Sequence, residues 1–291
     1  MLKGRLGLET ARIPQSDRFG LLWLSKGRLW VEDGTLKFTS AGDGYLPAGE
    51  YGVPFQMLCG IMLQPGTTVT HDALRLLSRH GTALVVVGTD AVRYYASMPF
   101  GPNDSRLART QAILWADPEK KIYIARKMYA WRMGEIFPNS DLNTLRGMEG
   151  ARMKEMYQFH AQKYQINWNG RKYDRQNPDE ADIPNQAINH AASAVEAAAF
   201  IATAITGTIP QLGFIHEDSG NAFCLDIADL FRDLITIPLA FSAVKELQTA
   251  SNLTPDRCVR FLAGKMFRNK SLVGLMIDKI KGLFNDYRCD M

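Results

Sequence analysis

Through the first third of the chain, apolar and polar residues alternate in short runs, and this period of two predicts β-strands. The predicted strands lie at residues 19–24, 28–31, 35–39, 60–63, 83–87 and 91–97. Ser25-Lys26-Gly27 stands between the first two strands and Asp33-Gly34 between the next two, so each pair is predicted to form a hairpin. One short helix is expected over 71–80, with Thr70 as its N-cap and Gly81 as its C-terminal stop.

From residue 106 onward, apolar residues recur every three to four positions, which predicts helices. Asp117 is an N-cap followed by a proline at the first helical position, so it opens a helix that ends near Gly134. The remaining predicted elements are helices from Asp141 or Asn143 to about Tyr164, from Pro184 to Gly207, from Phe223, over 255–267 and over 270–284, and a small hairpin at Asn169-Gly170.

Length and composition agree with two globular domains. The 291 residues are 46% hydrophobic, 22% charged and 10% aromatic, which excludes a disordered chain. Residues 98–105 contain the Pro, Gly and Asn expected of a linker. The sequence therefore predicts an α+β fold, with a β-rich domain over 1–97 and an all-α domain over 106–291.

Neither a secretion signal nor a membrane anchor is predicted. The first residues contain no apolar run long enough for a signal peptide. Polar residues interrupt the Ala-rich stretch 191–206, so we expect a buried core helix there rather than a membrane span. The four cysteines form no CxxC pair, which excludes a zinc ribbon and makes a reducing cytoplasm the expected location.

Charge is distributed unevenly along the chain, although the net charge is only +4. Residues 106–175 hold fourteen Lys and Arg against seven acids, whereas 176–240 hold Arg232 against nine acids, and 241–291 hold nine bases against five acids. An acidic segment flanked by basic ones fits a metal site within a phosphate-binding surface. Solvated helix faces of alternating charge are the alternative.

The candidate chemistry begins at His216, Asp226 and Asp229. In a helix, the two aspartates lie on one face and their carboxylates repel each other. A buried Arg or Lys, or a metal ion, must then stabilise them, and the nearby imidazole favours a metal. The alternative is an exposed polar helix face beside a loop histidine that binds nothing.

Glu149 is the candidate that completes this site. It lies between Gly147 and Gly150 in a predicted helix, where each glycine costs roughly 1 kcal/mol relative to alanine. Such a cost indicates close backbone packing, which would hold Glu149 against another helix. The alternative is a surface glutamate between two arginines.

Four motifs then occur in order: Arg-Gly-Met-Glu-Gly at 146–150, Trp-Asn-Gly-Arg at 168–171, Gly-Phe-Ile-His at 213–216 and Asp-Ile-Ala-Asp at 226–229. Their order and spacing resemble the CRISPR-associated integrases of spacer acquisition, in the subtype that accompanies the Cascade effector. Residues 62–71 and 92–97 are also similar to this family, so the resemblance covers nearly the whole chain.

The resemblance implies that Glu149, His216 and Asp229 are metal ligands and that Asp226 is an accessory catalytic acid in the same pocket. Carboxylates with one imidazole also suit Mg²⁺ or Mn²⁺ on chemical grounds. The implied reaction inserts a short DNA fragment into a CRISPR array by attack of a DNA 3′-hydroxyl on a repeat phosphodiester.

The resemblance further implies a β-sandwich-like N-terminal domain that forms a homodimer, and a small ferredoxin-like partner protein that bridges two dimers. Double-stranded DNA, as prespacer and as repeat, is the expected substrate. The candidate DNA-binding residues are Arg75, Arg93, Arg146, Arg171, Tyr173, Arg232, Arg257, Arg260 and Arg268. Lys26 and Thr68 depart from the family, which has Tyr and Arg there, so splaying of duplex ends by this chain is in doubt.

Two other functions fit the same residues. One is a structure-selective repair nuclease that cuts branched DNA, and the other is a DNA-binding scaffold with a silent site. The scaffold is disfavoured because a silent site has no reason to keep acids that repel one another.

Overall fold

The computed structural model describes residues 13, 17–42, 45–97, 105–172, 181–249 and 253–287. The chain forms two compact units, the first comprising Met1–Val87, Tyr95–Ser105 and Ala204–Gly207, and the second Gly88–Tyr94, Arg106–Thr203 and Thr208–Met291. The first is rich in strands and the second is helical, so the predicted α+β fold class is confirmed. The predicted domains meet at a single boundary, whereas in the structure segment 88–94 belongs to the helical unit and segment 204–207 to the strand-rich unit. Residues 98–104 of the predicted linker lie outside the described residues.

The strands of the first unit form two four-stranded sheets. The strands are β1 (Leu21–Leu24), β2 (Gly27–Glu32), β3 (Thr35–Ser40), β4 (Gly49–Gly52), β5 (Gly60–Leu63), β6 (Thr67–Val69), β7 (Ala83–Val87) and β8 (Tyr94–Ser97). One sheet has the order β1-β5-β7-β8 and the other β4-β3-β2-β6.

The predicted first hairpin is wrong, because β1 and β2 belong to different sheets. β1 pairs in parallel with β5, whereas β2 pairs with β3 and β6. Lys26, with φ 48°, turns the chain from one sheet to the other. A side chain at Gly27 would collide with the ring of Phe38, so this strand must begin with glycine. The second hairpin is confirmed, with Asp33 at φ 50° and Gly34 at φ 74°.

Strands β4 and β6 were not expected from the sequence. Both are edge strands, and they are only four and three residues long, so the alternation within each is too short to detect. The predicted strand over 91–97 is shorter in the structure because Asp90 and Ala91 both have φ 58°, which is incompatible with a strand.

The short helix α1 (His71–His80) is confirmed with both of its caps. The Thr70 hydroxyl accepts from the Ala73 N–H at 3.3 Å, and Gly81 ends the helix in the left-handed conformation with φ 63°. Leu77 of this helix is fully buried in a core that includes Leu29 and Leu84. The core therefore draws on α1 and on both sheets.

The second unit consists of helices whose starts agree with the predicted caps. The helices are α2 (Arg106–Ala116), α3 (Pro118–Met133), α4 (Leu142–Tyr164), α5 (Ile183–Thr206), α6 (Ala222–Asp229), α7 (Ile237–Thr249), α8 (Pro255–Asn269) and α9 (Leu272–Phe284). Asp117 caps α3, and the Asp141 carboxylate caps α4 by accepting from the Thr144 N–H at 2.7 Å. The small hairpin predicted at Asn169-Gly170 is wrong for the part of it that the structure describes, because residues 166–172 contain no strand.

Helix α5 is the Ala-rich helix. By length and composition it could cross a membrane, and the described residues contain one such helix. In its most apolar window 61% of residues are buried against the rest of the protein, as in the core helix that the sequence predicts.

Between α6 and α7 the backbone forms a π-helical turn at Arg232–Thr236. The Thr236 N–H donates to the Phe231 carbonyl at 3.3 Å, five residues back. Such turns insert one extra residue into helical backbone and are frequent at functional sites. This turn carries Arg232 next to the end of α6.

Candidate active site

Asp226 of α6 is the anchor of the loop that carries His216. Its Oδ2 accepts from the N–H groups of Phe214 at 2.6 Å and Ile215 at 3.0 Å, and its Oδ1 accepts from the His216 N–H at 2.9 Å. The loop can close this tightly because a side chain at Gly213 would collide with the His216 carbonyl. Three backbone N–H groups therefore stabilise one buried carboxylate.

The same carboxylate orients the His216 imidazole. Asp226 Oδ1 lies 2.7 Å from His216 Nδ1, so the ring donates from Nδ1 and its Nε2 is left for a ligand. The hydrogen bond to Asp226 raises the pKa of His216, against the effect of burial. The Asp226 side chain is 0% exposed and holds the imidazole whose other nitrogen approaches Asp229, so its role as an accessory acid in the same pocket stays a prediction. Its contacts in the structure position the loop and the His216 ring.

Asp229 and Glu149 come together around two arginines. Arg132 Nη1 lies 2.5 Å from Glu149 Oε1 and 3.9 Å from Asp229 Oδ2. Arg232 Nη1 lies 3.4 Å from Asp229 Oδ1 and 3.8 Å from Glu149 Oε1. His216 Nε2 lies 3.9 Å from Asp229 Oδ2. The structure thus brings all three predicted metal ligands to one place, with guanidinium groups as the positive charges between the acids.

Arg132, in the last turn of α3, is a site residue that the sequence analysis missed. Its side chain is only 4% exposed, and Nη2 contacts the Met153 sulfur at 3.3 Å. Its Nε has no hydrogen-bond partner among the described residues. Neighbouring Tyr129 is buried too, and burial followed by the charge of Glu149 raises the pKa of its hydroxyl. No local signal identifies Arg132, because its partners lie seventeen residues or more away in sequence.

Glu196 of α5 is a further acid near this site. Burial, and then the charge of Asp229, raise its pKa, while Arg232 and His216 act in the opposite direction. The sequence shows Glu196 as a charged residue in an Ala-rich helix. That position is a signal for a special environment, because a lone acid on a buried helix needs a reason.

A cleft of about 820 Å³ opens beside Glu149. It is lined by Arg146, Gly150, Tyr157, Trp168 and Arg232 among others. Apart from chain neighbours and the backbone of α4 itself, no atom lies within 4 Å of where a side chain at Gly147 or Gly150 would begin, so the predicted close helix packing at these glycines is wrong. The glycines instead leave open space on the face of α4, and Gly150 lines the cleft.

Three of the predicted DNA-binding arginines line this cleft. Arg146 Nη2 donates to the Ile215 carbonyl at 2.8 Å, and Arg171 donates to Asn185 at 3.0 Å and Asn189 at 2.6 Å. Arg232 is the third, and it pairs with Asp229 and with Glu149, which also lines the cleft. These three arginines give the wall of the cleft positive charge, and Glu149 lines the same cleft.

The other predicted arginines are placed differently. Arg93 and Arg260 both pair with Asp256, at 2.9 and 2.7 Å, and Arg268 pairs with Asp90. Arg75 forms an exposed pair with Asp72 at 3.0 Å, and Arg257 is exposed on α8. Tyr173 lies outside the described residues. Within the second unit, the structure therefore does not bring Arg93, Arg257, Arg260 or Arg268 to the cleft.

The residues at this site suit a divalent cation by their chemistry. Two carboxylates and an imidazole with a fixed tautomer are ligands that Mn²⁺ and Mg²⁺ accept. The Arg132 guanidinium between the two carboxylates shows that the place favours positive charge. Within the described residues, no three His, Cys, Asp or Glu side chains are already close enough to hold a metal ion together.

Comparison with known proteins places this chain among related sequences. Residues 132–254 match the family model described as CRISPR associated protein Cas1. The chain is 34% identical over 273 residues to the CRISPR-associated endonuclease Cas1 of Escherichia coli (strain K12), covering 92% of this chain and 86% of that protein. The Cas1 endonuclease of Geobacter sulfurreducens is also 34% identical over 273 residues, with 92% and 85% covered.

Solved structures give the same result. A TtCas1–DNA complex superposes with a TM-score of 0.81 at 30% identity, covering 92% of this chain and 97% of that one. A casposase bound to its integration product has a TM-score of 0.65 at 15% identity, with 92% and 96% covered. This second similarity shows a shared fold.

Proposed function

The chain belongs to the Cas1 family, and we propose that it is a metal-dependent DNA endonuclease and integrase of CRISPR adaptation, acting in the cytoplasm. The reaction would insert a short DNA fragment into a CRISPR array by attack of its 3′-hydroxyl on a repeat phosphodiester. One observation carries the proposal: Glu149, Asp229 and His216 come together beside an arginine-lined cleft, and Glu149 itself lines that cleft. The similar proteins named as endonucleases, and the relative solved with DNA, support it.

Glu149, His216 and Asp229 would hold the metal, which is Mn²⁺ or Mg²⁺. When bound, the ion would polarise the scissile phosphate and neutralise the negative charge that develops during substitution. Asp226 keeps His216 in the tautomer with Nε2 free of hydrogen, and the buried hydrogen bonds fix the direction of the ring.

Arg232 is the residue best placed to hold the reacting phosphate. It lies on the cleft wall with its side chain 32% exposed, beside both acids of the site. Burial lowers the pKa of Arg232, but the nearby acids raise it, and the net shift is upward. The guanidinium therefore keeps its charge at every relevant pH. A guanidinium in this position can exchange a carboxylate for a phosphodiester, since each presents two negatively charged oxygens that accept a pair of hydrogen bonds from arginine.

The cleft itself suits a DNA strand. Arg146 and Arg171 provide positive charge along it, and Trp168 provides an aromatic ring on which a base can stack, backed by the buried ring of Tyr157. The centroids of the Trp168 and Tyr157 rings lie 5.2 Å apart, and those of Trp168 and Phe241 lie 5.7 Å apart. Such packing holds the Trp168 ring in place before DNA binds. The homodimer and the small ferredoxin-like partner that bridges two dimers stay part of the proposal.

The decisive test is strand transfer into a supercoiled plasmid that carries a CRISPR repeat, with Mn²⁺ and with the partner protein present. Wild type should insert a labelled fragment, and Glu149→Ala, His216→Ala and Asp229→Ala should each lose the product. Glu155→Gln is the matched control, because Glu155 is an exposed acid of the same helix. Strand transfer that survives all three alanine changes would contradict the assigned site. Cleavage of branched DNA without any insertion would favour the repair nuclease instead.

A further inference from the structure

Four side chains form a cluster in which charges cancel. Glu149 and Asp229 contribute two negative charges, and Arg132 and Arg232, each within 4 Å of both acids, contribute two positive charges. Among the described residues, Glu196 forms no ion pair with either arginine, and Asp226 is compensated by the loop N–H groups and His216. We call Glu149, Asp229, Arg132 and Arg232 the acid–arginine cluster.

The two arginines of the cluster are not equivalent. Arg232 lines the cleft with its side chain 32% exposed, so it can turn toward a phosphate. Arg132 is 4% exposed, is held by Glu149 and contacts Met153, so it has no path to solvent or to DNA. The charge of Arg132 therefore stays beside Glu149 whatever binds in the cleft.

A permanent positive charge at this position weakens the binding of a cation. Like charges a few ångströms apart repel by several kcal/mol at the effective dielectric constant of a protein site, about 20. A divalent ion added to a neutral cluster leaves a net charge of +2, which is unfavourable in a half-buried place. Two phosphodiesters, one from each of the DNA strands joined in strand transfer, bring the −2 that balances it.

We propose that Arg132 couples metal binding to DNA binding: it weakens the hold of the site on a divalent cation until DNA phosphates enter the cleft. This inference rests on the proposed function, because it takes Glu149 and Asp229 as metal ligands and DNA as the ligand of the cleft. Arg132 acts through Glu149 and touches no reacting atom, so it is a positioning residue. By linkage, the factor by which DNA tightens metal binding equals the factor by which metal tightens DNA binding.

The experiment measures binding of Mn²⁺ to the full chain by the electron paramagnetic resonance signal of the free ion. Titrations are made without DNA and with a branched duplex whose 3′ ends are dideoxy-terminated. We expect the Kd of wild type for Mn²⁺ to fall on the order of tenfold when DNA is present. We expect Arg132→Met to bind Mn²⁺ on the order of tenfold more tightly than wild type without DNA, and to gain less from DNA.

Arg152→Met is the matched control. Arg152 also lies in the second unit and pairs with Asp233 at 3.1 Å, outside the acid–arginine cluster, so its loss should leave both Kd values unchanged. Mn²⁺ binding to Arg132→Met that is equal to or weaker than wild type overturns the proposal. So does a wild-type Kd that is the same with and without DNA, and this measurement does not depend on the folding of any variant.

Glu149→Ala and Asp229→Ala separate this inference from the proposed function. If both changes abolish Mn²⁺ binding while wild type shows no coupling to DNA, the metal site stands and only the role of Arg132 fails. If wild type binds Mn²⁺ and neither change weakens it, the ligands are wrong and the inference fails with the proposed function.

Discussion

The two aspartates of helix α6 are held in different ways. Asp226 is sealed against the loop at 213–216 by three backbone N–H groups. Asp229, one turn later on the same face, is partly exposed and meets Arg232 at 3.4 Å and Arg132 at 3.9 Å. Backbone donors cannot leave, whereas an exposed arginine can exchange partners. Two acids three residues apart can therefore serve different purposes, one for the shape of the site and one for its chemistry.

Replacing Asp229 by Asn should give the largest effect. A bound metal stabilises the transition state by several kcal/mol, so loss of a ligand carboxylate should lower Mn²⁺-dependent strand transfer by about 10³-fold. Stability should change by no more than about 1 kcal/mol, because Asp229 is partly exposed and its ion pairs are screened. Initial rates of strand transfer and urea denaturation measure the two quantities.

Asp218→Asn is the control for this change, since Asp218 is an exposed acid near the same site. If Asp229→Asn unfolds the protein while keeping its rate per folded molecule, the contrast between the two aspartates of α6 is wrong.

Replacing Asp226 by Asn should instead act on stability. The amide cannot accept all the hydrogen bonds that the buried carboxylate accepts, so at least one N–H group of the loop loses its partner. We expect a loss of about 3 kcal/mol in the free energy of unfolding, measured by urea denaturation. A loss below about 0.5 kcal/mol would show that the loop does not depend on this carboxylate.

Much of the local structure around the site, including the helix that carries both aspartates, follows from local sequence. The caps at Thr70, Asp117 and Asp141 and the helix that carries both aspartates are short-range features, and they are where the sequence predicts them. A cap is a contact between residues three or fewer positions apart, so the sequence nearby contains the whole signal.

The parts that could not be predicted depend on contacts between distant segments. The assignment of β1 and β2 to different sheets follows from pairing with β5 and β3, which alternation within a strand does not encode. The sequence argument requires a positive partner for the acids and leaves open a buried Arg, a buried Lys or a metal. The partner Arg132 comes from a different helix, α3, and only the fold brings it to Glu149.

Cys224, a buried residue of α6, should make the stability of the protein depend on pH. Burial, with the charges of Asp226 and Glu196 added, raises the pKa of this thiol from 9.0 to about 11, against a hydrogen bond with Thr203. Because the folded state holds the proton more tightly, the stabilisation is complete below pH 9 and is lost as pH rises from about 9 to 11. The loss should be about 3 kcal/mol at most, since each pKa unit corresponds to about 1.4 kcal/mol.

Comparison with Cys224→Ala isolates this effect from other groups that titrate in alkali. The difference in unfolding free energy between wild type and variant should shrink between pH 9 and pH 11. A constant difference would show that the thiol ionises in the folded protein as readily as in the unfolded chain.

The smallest effects concern arginines outside the acid–arginine cluster. Arg146 donates to a backbone carbonyl and lines the cleft, so Arg146→Gln should reduce the salt dependence of DNA binding by about one ion. Arg260 already pairs with Asp256 at 2.7 Å, so Arg260→Gln should change the salt dependence less and the stability by about 0.5 kcal/mol. Fluorescence anisotropy with labelled DNA across a salt series compares them, and equal slopes would contradict the contrast.

The π-helical turn at Arg232–Thr236 has a consequence for how the site is joined to the rest of the chain. One inserted residue shifts the phase of the following helix by about 100° relative to an uninterrupted one. Helix α7 can thus direct its apolar stripe toward its own neighbours while α6 directs Asp229 toward Arg232. The two helices are joined by hydrogen-bonded helical backbone, and Arg232 is the first residue of the π-helical turn, so the main chain sets the point from which its side chain reaches both acids.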